Sequence, residues 1–275
     1  MFLQILSIGF ISFLITYISI PVINKVGKKY LLIDKPNERK QHNKLIVRIG
    51  GLSILFGLLS PFVLFFIFGL INPESYQVIL TILFGSIFMF LIGFIDDIFS
   101  ISFSKRLILQ LFVSSLIWNQ GLKINEIYLS WLIPNLNNIE ISPFLDLLIT
   151  NIWVVGIINA INWLDGLDGL ASSWAVTANV FILLNCLATN NISIGIISAS
   201  IIGSNLGFLK YNFYPSKIIM GDSGSYFLGF TIAISSLIVT QDNSGISNVV
   251  SLFLLVFLPL IDMLFVILQR ILKGS

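Results

Sequence analysis

The chain has one cysteine, one histidine and few charges, and each scarcity excludes something. Cys186, alone and inside an apolar run, cannot form an internal disulfide and leaves the compartment unreadable from redox usage. There is no His/Cys cluster for zinc, no Ser-His-Asp set, and no G-x-x-x-x-G-K-[ST] phosphate loop. Internal repeats and low-complexity tracts are also absent. Charged residues are 10% of the 275, against 56% apolar, with 24 Phe and a mean hydropathy of +0.98. Such a balance excludes a soluble domain and implies an integral membrane protein with several spans.

Apolar stretches fall at 2–23, 50–71, 78–95, 107–121, 144–161, 172–188, 192–209, 225–239 and 247–267. They predict an all-α polytopic bundle of about nine transmembrane helices, the shorter ones tilted or re-entrant, with 1–275 forming one domain. The first stretch lacks a basic leader and a small-residue cleavage pattern, so it is expected to stay as a membrane helix. Loops after the odd-numbered spans carry 14 of the 15 Lys and Arg, and only Lys123 falls on the other side. The positive-inside rule then puts those loops in the cytoplasm and the N-terminus outside. On the outer side, the pieces KINEIYL and NNIEI around Pro134 and Asn135 predict a small external β-hairpin.

The predicted cytoplasmic face holds every unusual group. Its centre is NAINWLDGLDGLA, 159–171, where Asn159, Asn162, Asp165 and Asp168 stand among glycines beside an oily run. Unpaired carboxylates next to hydrocarbon are costly, so a cation is expected nearby. Asn162, Asp165 and Asp168 are three apart and would face one way on a helical turn. Oxygen ligands beside glycines suit a hard divalent ion and its phosphate partner; the plain alternative is a polar turn at a helix end.

Three other loops add to it. DKPNERKQHNKLIVRIGG contains Asp34, Arg39, Lys40, His42, Lys44 and Arg48, which is either a topology signal in contact with anionic lipid or part of a site. Asp96 and Asp97 follow an apolar helix and precede Lys105 and Arg106; adjacent acids at a membrane border call for a cation or a proton between them. Asp222, in GDSGS, reads as an N-cap, as a metal ligand at a phosphate-binding helix N-terminus, or as both. One basic and three acidic loops on one membrane face suggest Mg²⁺ offsetting carboxylates and phosphates together, and chemistry on a lipid.

DKPNERKQH with a following GG, then GFIDD, then NAINWLDGLDGLA, then GDSGS with Asn212 ten residues before its Asp222, resembles the polyprenyl-phosphate N-acetylhexosamine-1-phosphate transferases. The four motifs stand in the family's order and cover the chain from Asp34 to about Leu228. The first is most similar to the branch that moves GlcNAc-1-phosphate from UDP-GlcNAc to undecaprenyl phosphate for envelope glycans. It is less similar to the branch that handles the MurNAc-pentapeptide precursor of peptidoglycan.

The resemblance implies an Mg²⁺-dependent phosphotransferase, with Mn²⁺ as an alternative metal. Its partners would be a UDP-sugar, a polyprenyl phosphate and the membrane, with no nucleic acid; relatives often form homodimers. Asp96, Asp97 and Asp165 would be catalytic, Asp96 as base or orienter of the lipid phosphate. Asp222 and Asp97 would bind metal. Asn162, Asp168, Asn212, His42, Arg48 and Lys105 would bind substrate, Lys105 standing near the family's lysine after the Asp pair. The lipid phosphate would attack the β-phosphorus of the UDP-sugar and release UMP, on the cytoplasmic face of a bacterial inner membrane. The family pattern continues, past a sequence like RILKGS, into a short histidine cluster, so the sequence reads as a fragment, as a C-terminally truncated transferase domain, or as one in which another group takes the cluster's place, with an inactive scaffold as the rival reading. A transporter is disfavoured because the acids gather at helix ends rather than at the midplane.

Overall fold

In lipid every backbone N–H and C=O must be satisfied within its own segment, so long apolar runs have little choice but helix. The computed structural model describes residues 2–34, 45–69, 73–124, 126–128, 139–240 and 246–273. Among them are nine helices: α1 (Phe2–Lys29), α2 (Gly51–Ile67), α3 (Pro73–Phe99), α4 (Phe103–Asn119), α5 (Pro143–Leu164), α6 (Leu170–Thr189), α7 (Ile192–Asn212), α8 (Gly221–Thr240) and α9 (Val249–Lys273). Several overrun the apolar stretch that predicts them at the end bearing polar groups: α3 continues past Asp96 and Asp97, α7 reaches Asn212, and α8 begins at Gly221.

Six of these, α1, α3, α5, α6, α7 and α8, are long and apolar enough to cross a membrane by themselves. At 17 residues each, α2 and α4 are shorter, about 25 Å at ~1.5 Å per residue. The chain is a multi-pass membrane protein, and nine helices stand close to where nine spans are predicted.

Helix α8 is the axis of the bundle. Within its apolar window 94% of residues are buried, against 28% for α1, which turns most of its surface outward. Helices α3, α5 and α6 pack around α8 with α2 and α9, and α1 lies against α7 and α2. A helix enclosed on all sides needs no polar face, and Tyr226, Phe227, Leu228, Phe230 and Ile232 are all buried. Short polar ties supplement the packing: the hydroxyls of Ser86 and Thr231 share a 2.9 Å hydrogen bond between α3 and α8, and Trp153 Nε1 donates to Ser236 Oγ at 3.3 Å between α5 and α8. Asn159 donates to Gln110 Oε1 at 3.0 Å and so joins α5 to α4, one turn before Asn162.

Each end of the bundle carries a small sheet. At the charged end, β1 (Ile33–Asp34) pairs antiparallel with β2 (Ile46–Val47). The chain after β2 then bonds to the approach to α8: Ile219 N donates to Val47 O at 2.8 Å, Gly50 N to Ile219 O at 2.9 Å, and Gly51 N to Met220 O at 2.8 Å. At the other end, β3 (Glu126–Tyr128) and β4 (Ile139–Glu140) pair antiparallel, which is the hairpin predicted from the alternating pieces. A third strand, β5 (Ile246–Asn248), joins β3 in parallel; the sequence reading assigns most of it to the ninth span. Lys123, the exception to the charge rule, lies at this end 3.4 Å from the buried Asp146 carboxylate.

Candidate active site

Strict alternation of the helices brings the C-terminal ends of α3, α5 and α7 beside the N-terminal ends of α2, α4, α6 and α8. The α8 N-terminus is the meeting point. Its free N–H groups carry the positive end of the helix dipole, and a carboxylate from another helix takes them: Asp222 N donates to Asp97 Oδ1 and Ser223 N to Asp97 Oδ2, both at 2.9 Å. The contact depends on Gly93, one turn before Asp97 on α3, where a Cβ would run into the backbone of Asp222 and Ser223. Just before them Gly221 has φ +78°, a left-handed conformation open to glycine at little cost. Its N–H donates to Asp165 Oδ2 at 3.2 Å.

Because Asp97 caps α8 from outside, Asp222 does not serve as its own helix's cap. Its carboxylate accepts from Arg48 Nη2 at 2.7 Å and from Asn162 Nδ2 at 2.6 Å, and Asn162 also donates to Ser225 Oγ at 2.9 Å. Arg48 Nε lies 2.9 Å from Asp97 Oδ1, so one guanidinium bridges two acids. Burial opposes the Arg48 charge, but Asp222 and Asp97 outweigh it and raise its pKa, so Arg48 stays cationic. Burial, then the charges of Asp222 and Asp97, push the Asp165 carboxyl well above the usual carboxylate range, against the Gly221 N–H and Arg48. Three acids and one arginine thus share one largely buried place.

A second cluster adjoins the first. Asp96 is 3% exposed and has both oxygens engaged: Oδ1 accepts from Ile101 N at 2.9 Å, and Oδ2 from Arg106 Nη1 and from the Tyr226 hydroxyl, each at 2.9 Å. Lys105, the residue expected here, is exposed, and its neighbour Arg106 turns inward. One residue is about 100° of helix, and the phase of α4 is set by how it packs. Neither Arg106 nor Tyr226 is in the predicted site. The only signal for Arg106 is its place beside Lys105, and a tyrosine inside an apolar run gives none.

The expectation that Asn162, Asp165 and Asp168 face one way fails, because α5 ends at Leu164 and 165–169 form a turn. Asp165 reaches the α8 N-terminus, while Asp168 is exposed and accepts from Ser216 N at 2.9 Å. Asn212 is buried and bound on both sides: its Oδ1 accepts from Gly169 N at 3.1 Å and Ser172 Oγ at 3.4 Å, and its Nδ2 donates to Ile218 O at 3.0 Å. Both side chains clasp the α5–α6 turn to the α7–α8 loop. His42, with Arg39, Lys40 and Lys44, lies outside the described residues.

Among the described residues no three His, Cys, Asp or Glu side chains stand as a ready ligand set for a metal. The donor chemistry nevertheless fits a hard divalent cation: Asp97, Asp165 and Asp222 offer oxygen only and stand together around Arg48 and the α8 N-terminus.

Residues 79–240 match the family model of glycosyl transferase family 4. A probable undecaprenyl-phosphate N-acetylglucosaminyl 1-phosphate transferase of Bacillus subtilis is 33% identical over 98% of this chain and 72% of its own length. The undecaprenyl-phosphate alpha-N-acetylglucosaminyl 1-phosphate transferase of Escherichia coli is 31% identical over 95% of this chain and 70% of its own. A decaprenyl-phosphate N-acetylglucosaminephosphotransferase of Mycobacterium leprae is 28% identical over 97% and 72%.

Proposed function

The chain belongs to glycosyl transferase family 4, and from that membership and its geometry we propose that it transfers GlcNAc-1-phosphate from UDP-GlcNAc to undecaprenyl phosphate, releasing UMP. The observation that carries this reading is the convergence of Asp97, Asp165, Asp222, Asn162 and Arg48 on the first turn of α8, at the charged end of a membrane bundle. A phosphate-bearing lipid and a water-soluble nucleotide sugar meet only at such a border.

An oxygen of the lipid phosphate attacks the β-phosphorus of UDP-GlcNAc; the bond from that phosphorus to the bridging oxygen breaks, and the electron pair leaves with UMP. A phosphate monoester has its second pKa near ~6, so the attacking oxygen is already mostly ionised and needs no strong base. Asp96 accordingly has no proton to take, in keeping with a carboxylate whose two oxygens already hold Ile101, Arg106 and Tyr226.

Asp222 and Asp165, with Asp97, would hold Mg²⁺, with Mn²⁺ as an alternative, and the ion when bound supplies charge neutralisation for the diphosphate and the departing UMP. Arg48 orients Asp97 and Asp222 and adds a fixed positive charge beside them. The α8 N-terminus, whose N–H groups hold Asp97 and Asp165, fixes those carboxylates in the same place. Arg106, with the ring of the exposed Phe103 5.9 Å away, offers a cation where the site borders the lipid-facing surface. The distribution of Lys and Arg supports a cytoplasmic site in the inner membrane with the N-terminus outside.

The test is UMP release by the purified chain from UDP-GlcNAc with undecaprenyl phosphate and Mg²⁺, beside reactions lacking lipid or metal. UMP that depends on both is the expected result. UMP formed without lipid, or none under any condition, would overturn the reading.

A further inference from the structure

We propose that Tyr226 is a positioning residue for the phosphate chemistry of this site, a role that rests on the transferase reading above. Tyr226 is 1% exposed, in the wall where α8 meets α3 and α4, and it lies four residues after Asp222, on the same face of α8. Packing in that wall would be met equally well by phenylalanine. What phenylalanine lacks is the hydroxyl, which here donates to Asp96 Oδ2 at 2.9 Å and accepts from Arg106 Nη1 at 3.2 Å. Since Arg106 Nη1 also donates to Asp96 Oδ2 at 2.9 Å, the three groups form a closed triangle.

The triangle matters for what it leaves open. Arg106 spends only Nη1 on it, and among the described residues its Nε and Nη2 have no hydrogen-bond partner. The Arg106 side chain is 28% exposed while the Asp96 side chain is 4% exposed, so the unused edge of the guanidinium is the accessible one. A single ion pair to Asp96 would let the guanidinium swing about one bond. With the tyrosine hydroxyl as a second acceptor on the same nitrogen, the plane of the group is set, and its free edge is presented ready for a phosphate oxygen. That oxygen belongs either to the lipid monophosphate or to the nucleotide diphosphate; the chemistry recognised is the same.

The experiment measures UMP release with each substrate varied in turn, for the wild type, Tyr226→Phe, Arg106→Gln and the double variant, with a melting temperature for each. The loss of the hydroxyl's two hydrogen bonds to charged groups is expected to cost Tyr226→Phe at least ~10-fold in kcat/KM, with a melting temperature close to the wild type. The KM that rises identifies which phosphate Arg106 meets, and either answer supports the proposal. In the Arg106→Gln background the same change should cost less than about twofold, because the group it positions is gone. Full activity of Tyr226→Phe, or an equal loss in both backgrounds, would overturn the proposal. Should the wild type release no UMP, the transferase reading fails on its own, and binding of farnesyl phosphate and of UDP decides the matter. Weaker binding of either by Tyr226→Phe, ~10-fold, upholds it, and equal or absent binding of both overturns it.

Discussion

Arg48 and Asp222 are 174 residues apart in the chain and 2.7 Å apart in the fold. The same guanidinium reaches Asp97 from α3, so a residue in the connection before α2 joins the ends of two other helices. It is brought there by backbone pairing of 47–51 with 219–220, and its charge is what allows two acids to share the α8 N-terminus.

Arg48→Ala therefore leaves Asp97 and Asp222 facing each other uncompensated. Turnover should fall by ~100-fold, the value of two charge-assisted hydrogen bonds. Arg48→Lys, which keeps the charge and loses the bridge, should recover only part of it. UMP release measures both, and an Arg48→Ala protein within a few-fold of the wild type would remove Arg48 from the site.

Lys105 and Arg106 should separate sharply. Lys105→Ala is expected to change kcat/KM by less than a few-fold, since its side chain is exposed. Arg106→Ala should cost at least ~10-fold through the lost Asp96 and Tyr226 contacts. The reverse order in the same assay would mean that α4 is rotated by one residue from the arrangement described.

Gly93→Ala tests the approach of α3 to α8. The added methyl meets the backbone of Asp222 and Ser223, which no rotamer change can relieve, so the helices must part. Overpacking of this kind costs ~1–3 kcal/mol, and the larger effect should be on turnover, because Asp97 loses the α8 N–H groups. Circular dichroism with near wild-type helicity and an activity below about one tenth is the expected pair of results. Unchanged activity would show that the contact is not required.

Asn212→Ala removes the clasp between the α5–α6 turn and the α7–α8 loop. It orphans Gly169 N and Ile218 O in a buried place, at ~1–3 kcal/mol, which should appear as a drop of several degrees in the melting temperature in detergent. An unchanged melting temperature with raised KM would instead restore Asn212 to direct substrate contact.

Much of the architecture is legible in the residues, and the reason is the solvent. Hydrocarbon permits few backbone conformations, so runs such as 78–95 and 192–209 become α3 and α7 whatever surrounds them. Strands β3 and β4 are legible for a related reason, since KINEIYL and NNIEI alternate with the period of a strand. β5 is not, because its pairing with β3 joins segments about 120 residues apart and leaves no local pattern. The candidate site divides in the same way. Asp96, Asp97, Asp165 and Asp222 stand out because carboxylates are rare in such a chain, whereas Tyr226 is one aromatic among many.

The sequence by itself determined that the protein is a multi-pass helical bundle with most of its charged groups gathered at one end, because hydropathy and charge act locally, residue against solvent. Only the tertiary structure decided what each polar side chain does there. That Arg48 bridges Asp97 and Asp222, that Asp165 and Asp168 part company, that Arg106 rather than Lys105 turns inward, and that Asn212 binds backbone are all consequences of helix phase and of where each helix ends. A rotation of about 100° or one residue more of helix changes every one of these partners while leaving the hydropathy profile the same.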